Sequence, residues 1–184
     1  LARAVANLYQ SLYLLLRAIG YDVVVLEDQT CRLAPGLDLR YDAALFETQA
    51  KTALAYRRNE TRRLGALAAA TALYGGEFLN ELSVEWVTER RRALSDLHQR
   101  VLTEYADELL HLTRYDEARG VLEQALQVEP FRDDVHSRLL MCLAAIGRRY
   151  EVVAHYQRYR ETLRAELGLD PPAEVRALYA RLIE

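Results

Sequence analysis

The side chains of this sequence with chemistry to offer are four histidines, two cysteines and several clusters of acids and arginines, and their spacing decides what they can do. His98, His111, His136 and His155 stand apart, with no HExxH pattern and no cysteine at ligand spacing, so ordinary surface or groove histidines are expected and no metal site. Cys31 and Cys142 lie far from each other without a CxxC, which gives no disulfide framework and fits a reducing, cytoplasmic setting. No GxxxxGK[ST], GxGxxG or GxSxG occurs, and Gly75–Gly76 follows a helical tract where a phosphate cradle would follow a strand. Glu60 and the Asp107–Glu108 pair are of the right type for acid–base catalysis, yet arginines stand near them on helical faces and ion pairing is the expected role. The sequence therefore reads as no enzyme, with no cofactor.

The arginines gather at Arg57, Arg58, Arg62 and Arg63, at Arg90–Arg92 and at Arg148–Arg149. Each group lies near a helix end or among acids, so a solvated face is expected first and a partner-docking surface second. Tyrosines such as Tyr105, Tyr156 and Tyr179 fall at apolar helical positions and read as core or groove lining. A net charge of -3 and a pI near 5.9 argue against a whole-surface grip on nucleic acid or anionic membrane, so any DNA contact must be local. The longest apolar stretches, Leu12–Leu16 and Leu64–Leu73, are shorter than the roughly 18 to 20 residues that span a bilayer, and no membrane association is expected. With 184 residues and 51% hydrophobic content the chain can bury a sizeable core.

The elements that must hold these residues are almost all helical. Val5, Leu8, Leu12, Leu15, Leu16 and Ile19 recur at helical spacing over 4–19, with Arg3, Asn7, Gln10 and Arg17 on another face and Gly20 at the end. The β-branched run at 23–27, the polar DQT at 28–30 and CRLAP at 31–35 read as a hairpin. Asp42 is a plausible N-cap for a helix over about 43–58. A second helix follows over about 60–74 and stops at Gly75–Gly76, and a long one runs from near Trp86 to about Leu112. The chain begins with Leu1 and enters an amphipathic pattern with no cap, so the start of the native protein is expected to be missing.

A shift of 34 residues sets TRYDEA (113–118) against GRRYEV (147–152) and pairs Leu109 with Leu143, Arg114 with Arg148, and Glu117 with Glu151. That period is the tetratricopeptide one. Ala106, Ala118, Ala125 and Pro130 supply the small crossings and terminal proline of the first copy, whereas Val152, Tyr156 and Tyr159 make the second degenerate. Gly168 is the expected left-handed cap of the second copy, and Asp170 the expected N-cap of a closing helix with Pro171 in its first position and Glu174 in its first turn.

The helix and hairpin of residues 4–35 have the layout of the back half of a winged helix, in which a helix enters the major groove and the hairpin touches phosphate. Over residues 1–40 Arg3, Arg17, Arg32 and Arg40 are balanced by Asp22, Glu27, Asp28 and Asp38, a poor charge for a DNA reader.

In its order of motifs the chain resembles the bacterial transcriptional activator domain of SARP-type regulators, a tetratricopeptide-like module that follows an OmpR-type winged helix. The matching words are AVANLYQSLYLLLRAIG (4–20), the D and FE of 42–47, LYGGEFL (73–79), Trp86 with the arginine-rich helix after it, RYDEA (114–118), EPFRDDVHSRLLMCLAAIGRR (129–149), Tyr156 and AELGLDPPAEVRALY (165–179). The chain departs from the family at Thr113, where a glycine precedes RYDEA, and at DQT, where the wing tip is often glycine-rich. The resemblance implies a mostly α fold: a tetratricopeptide-like helical repeat array with a small N-terminal helix plus β-hairpin remnant of a winged helix. It implies a partial winged helix at 1–36 and an activation and interaction domain at 37–184. In the full-length protein Arg3, Asn7, Gln10 and Ser11 would then stand nearest the bases, with Arg17 and Arg32 on phosphate. Promoter DNA, RNA polymerase or other regulator domains, and a second copy of the chain are the implied partners. Two rival readings are a helical-repeat scaffold and a small-ligand sensor without DNA binding of its own.

Overall fold

The computed structural model describes residues 2–20, 23–27, 30–37, 40–57 and 61–184. These fall into two compact units, residues 1–40 and 41–184.

The first unit holds α1 (Ala2–Ile19) and an antiparallel hairpin of β1 (Val24–Glu27) and β2 (Thr30–Leu33). Helix α1 ends where Gly20, at φ +109, donates its N–H to the Leu16 carbonyl at 2.9 Å. That backbone lies in the region where a side chain is strained and glycine is not. Pairing runs Val24 to Leu33, Val25 to Arg32, Leu26 to Cys31 and Glu27 to Thr30. This register puts Val25, Arg32, Glu27 and Thr30 on one face, and the apolar Val24, Leu26 and Leu33 with Cys31 on the other.

The second unit is a helical array: α2 (Asp42–Ala55), α3 (Thr61–Leu73), α4 (Glu85–His111), α5 (Tyr115–Val128), α6 (Asp133–Ala145), α7 (Arg149–Leu167) and α8 (Ala173–Ile183). Two cores hold it together. Phe46, Ala50 and Ala53 of α2, Leu67 and Ala70 of α3, and Leu94 and Val101 of α4 form the first. The second joins Leu102, Ala106 and Leu109 of α4 to Ala118, Leu122 and Ala125 of α5, to the apolar face of α6, and to Val152, Tyr156, Tyr159 and Leu163 of α7, with Val175 of α8 closing it. Helix α4, about 40 Å long at 1.5 Å per residue, serves both, and Tyr105 packs against each. Ala106, Ala118 and Ala125 are buried together in the second core, as the first copy of the repeat predicts.

The bulky residues of the second copy have a structural reason. Tyr156 stacks on Tyr179 of α8, ring centroids 3.8 Å apart, and the Tyr159 hydroxyl donates to Asp133 of α6. Where a further repeat would present small residues to another helix pair, the Tyr156 ring seats the closing helix and the Tyr159 ring packs on α6. Polar ties fix the stacking: Arg138 grips Asp107 through two bonds of 2.7 and 3.1 Å, linking α6 to α4, and Arg119 meets Glu151 at 2.8 Å, linking α5 to α7. Gly168 adopts φ +67 and caps α7 through its N–H to the Arg164 carbonyl.

Two expected N-caps differ from the structure. Helix α2 begins at Asp42 itself, and its Oδ1 accepts the adjacent Ala43 N–H at 2.7 Å. Helix α8 begins at Ala173 after Pro172, so Pro171 precedes the helix, and Asp170 accepts instead from Arg164 Nε at 2.7 Å. In both places the carboxylate is bonded elsewhere, Asp42 to the adjacent N–H and Asp170 to a guanidinium of the preceding helix.

Candidate nucleic-acid interface

Positions 3, 7, 10, 11 and 17 of α1 fall along one side of the helix by their spacing of three, four and seven. Asn7, Gln10, Ser11 and Arg17 are all exposed; the Arg3 side chain lies outside the described residues. Leu12 is buried, but Leu8, Tyr9, Tyr13, Leu14 and Leu15 are each 46 to 58% exposed. Helix α1 thus carries a polar stripe beside a broad apolar surface open to solvent.

Arg32 projects from β2 and is exposed, and its guanidinium pairs with Glu27 across the hairpin. The pair is worth at most about 1 kcal/mol in solvent, so a phosphate can compete for Arg32 at little cost. Asp28 and Gln29 of the DQT turn lie outside the described residues. The structure brings Arg32 onto the same hairpin face as Val25 and Glu27, and it places Arg17 near the C-terminal end of α1.

The helical unit uses its charged clusters differently. Arg63 is buried against Glu104 and Glu108 of α4, and Arg90 grips Glu47 of α2 through two bonds of 2.8 Å. The Arg90 hydrogen bond holds the Glu47 carboxyl below its usual range, against the opposing effect of burial. Arg91 donates to the carbonyls of Phe78, Leu79 and Leu82 and so pins the segment before α4. Arg148 bonds Glu151 at 2.7 Å. Arg63, Arg90 and Arg91 thus tie elements together, whereas Arg57, Arg62, Arg92, Arg148 and Arg149 are exposed, as a solvated face requires; Arg58 and Glu60 lie outside the described residues.

Sequence reasoning missed two histidine arrangements. His98 is buried in α4, stacked on Tyr74 at 3.9 Å, and neither ring nitrogen has a hydrogen-bond partner; burial pushes its pKa down to about 4. His136 of α6 and His155 of α7 meet with Nδ1 and Nε2 2.9 Å apart, and His136 Nε2 donates to the Pro130 carbonyl, also at 2.9 Å. A carbonyl only accepts, so neutral His136 carries its proton on Nε2 and takes a hydrogen bond from His155. Burial lowers both pKa values, that of His155 to about 4. Residues 19 apart share no helical face, and only the crossing of α6 and α7 joins them. No cluster of three or more metal-ligating side chains occurs among the described residues, and no helix there is long and apolar enough to cross a membrane.

Comparison with known proteins gives this geometry its context. Residues 41–183 match the family model for the bacterial transcriptional activator domain. The transcriptional regulatory protein MoaR1 of Mycobacterium tuberculosis is 26% identical over 165 residues, which cover 89% of this chain and 50% of MoaR1. The regulatory protein AfsR of Streptomyces griseus is 27% identical over 172 residues, covering 91% of this chain and 17% of AfsR. The chain thus spans half or less of the length of the curated relatives it matches. A solved structure of Mycobacterium tuberculosis EmbR, in complex with a low-affinity phosphopeptide, superposes with a TM-score of 0.63 at 24% identity, over 99% of this chain and 50% of that one. At that identity the likeness concerns the fold, a helical array preceded by a helix and hairpin. With most of its length matched by the family model and regulators as its relatives, the chain belongs to the bacterial transcriptional activator domain family.

Proposed function

We infer that the chain is part of a larger regulator in which α1 and the hairpin are the back half of a DNA-binding winged helix, and the helical unit is the surface through which the protein activates. The observation that carries this is the exposed polar stripe of Asn7, Gln10, Ser11 and Arg17 directly ahead of a family-matched activator array. The apolar side chains open to solvent on α1 support it as well, because a helix of that kind is covered by another layer in a finished domain. Asn7, Gln10, Ser11 and Arg3 would face base edges, and Arg17 and Arg32 phosphate. The helical unit would dock RNA polymerase, another regulator domain or a second copy by contact rather than turnover, in the cytoplasm where promoter DNA lies.

The test uses the full-length protein and a pool of random duplexes. Bound sequences are selected, and fluorescence anisotropy then follows affinity against salt. Arg17→Ala should lower the salt slope by about 1, and Asn7→Ala or Gln10→Ala should relax base preference about tenfold or more at one position. Salt-insensitive absence of DNA binding by the full-length protein would remove the reading. It would favour the rival one, a helical scaffold, to which the zero net charge of residues 1–40 lends weight.

A further inference from the structure

The helical unit holds a cavity to which the reading above gives no role. About 300 Å³ in volume, it lies between the start of α2, the end of α3 and the following 74–79 segment, and reaches Leu94 of α4. Tyr41, Phe46, Tyr74 and Phe78 line it. Phe46 meets Tyr74 edge to face at 5.2 Å, and Tyr41 meets Phe78 the same way at 6.4 Å. The charged residues of the lining are Asp42 and Glu77, both acids, and neither makes an ion pair among the described residues. The sequence reinforces this sign: no lysine or arginine occurs between Arg63 and Arg90, while Glu77, Glu81, Glu85 and Glu89 all do.

The positive groups around the cavity are already paired. Arg90 hydrogen-bonds the Tyr41 side chain at the edge of the lining, but its charge is answered by the two bonds to Glu47, and Arg91 is bonded to three backbone carbonyls. The C-terminus of α3 adds the negative end of its dipole, and the positive end of α2 is answered by Asp42 at Ala43 N–H. His98 stacks behind Tyr74 and meets Phe46 at 6.0 Å, and burial keeps it neutral.

Aromatic faces are the negative side of the ring quadrupole, and with two carboxylates beside them they attract an organic cation while repelling an anion. A volume at the small end of ligand pockets suits a head group rather than a dinucleotide. We propose that this cavity binds a small quaternary or alkylated ammonium ion, its charge facing Asp42 and Glu77 and its alkyl groups against the rings of Tyr41, Tyr74 and Phe78, with Phe46 buried behind them. Such a ligand would act on the regulator through the α2–α3–α4 joint.

The chain's one tryptophan makes the site observable, because Trp86 stands edge to face with Phe78 at 6.4 Å. Titration of the chain with choline chloride, ionic strength held constant with sodium chloride, should give a saturable change in Trp86 fluorescence at millimolar concentration or below. Saturation transfer to the choline methyl protons should report the same binding by NMR. A double variant, Asp42→Asn with Glu77→Gln, and separately Phe78→Leu, should each weaken binding about tenfold while leaving the helical circular dichroism in place. The uncharged isostere of choline, with carbon in place of nitrogen, should bind about tenfold more weakly. Absence of a saturable response in both readouts, equal binding of the isostere, or an unchanged affinity in the double variant would overturn the proposal.

Discussion

The turns between α4 and α5 and between α6 and α7 are two renderings of one design. In the first, Arg114 N–H reaches the Leu109 carbonyl at 2.9 Å and Thr113 N–H the Leu110 carbonyl at 3.0 Å. In the second, Arg148 and Gly147 repeat both bonds, to Leu143 and Ala144, at 2.9 Å each. Arg114 pairs with Glu117 at 2.6 Å, as Arg148 does with Glu151 at 2.7 Å. The residue in the left-handed position differs: Gly147 at φ +74 against Thr113, a β-branched residue, at φ +57. Paired backbone bonds and the buried leucines thus set the shape of the turn, and the residue at its left-handed corner changes what that shape costs.

The largest effects should come from the shared foundation. Leu109→Ala and Leu143→Ala each remove a buried side chain and should lower stability by about 2–5 kcal/mol in chemical denaturation. A loss below about 1 kcal/mol in one repeat alone would show that the two turns do not rest on equivalent packing.

Next comes a difference of chemistry. At the 34-residue shift His136 and His155 correspond to Leu102 and Val121, so the imidazole pair belongs to the second repeat alone. Both histidines have pKa values below the ordinary 6.5 in the folded chain, His155 near 4, so the unfolded chain takes up protons first as pH falls. Stability should therefore be full above about pH 6.5 and decline toward pH 4, by roughly 1–3 kcal/mol from this pair. Melting temperatures across that window should flatten in the double variant His136→Leu with His155→Val, with a remaining slope from His98. An unaltered slope would place the pH sensitivity elsewhere.

Exchange of the corner residues isolates the backbone. Gly147→Thr should cost about 1 kcal/mol, and Thr113→Gly should gain up to about 0.5–1 kcal/mol, as strain relief is offset by a more flexible unfolded chain. Equal and opposite shifts of melting temperature in the two variants would sharpen the equivalence, while a destabilised Thr113→Gly chain would break it. Smallest are the exposed ion pairs: Arg114→Ala and Arg148→Ala should each leave the melting temperature nearly unchanged and match each other.

Periodicity carried most of the fold into the sequence. The tract at 60–74 became α3 (Thr61–Leu73), the runs at 23–27 and 31–35 became the hairpin, and the 34-residue shift became the stacked α4–α5 and α6–α7 turns. Caps were less legible, because Asp42 bonds the adjacent Ala43 N–H and Asp170 the Arg164 guanidinium, partners set by local geometry and not by residue type. The burial of Arg63 against Glu108 and the meeting of His136 with His155 depend on helix crossings that no local pattern encodes. The aromatic cavity did leave a trace, the base-free stretch between Arg63 and Arg90 with its four glutamates. Its rings come from both sides of the α2–α3 pair, so composition alone does not assemble them.

Because α4 is common to both cores, with Val101 in one, Leu102 in the other and Tyr105 touching each, neither core has a boundary at which to come apart. Loss of helix at one end of α4 withdraws side chains from its own core and shortens the rod that the other depends on. Residues 41–184 should accordingly melt in a single cooperative step, and a nick within Glu85–His111 should release two fragments of which neither holds its native helices. A tandem array that grows by independent increments would instead shed its helices from the ends.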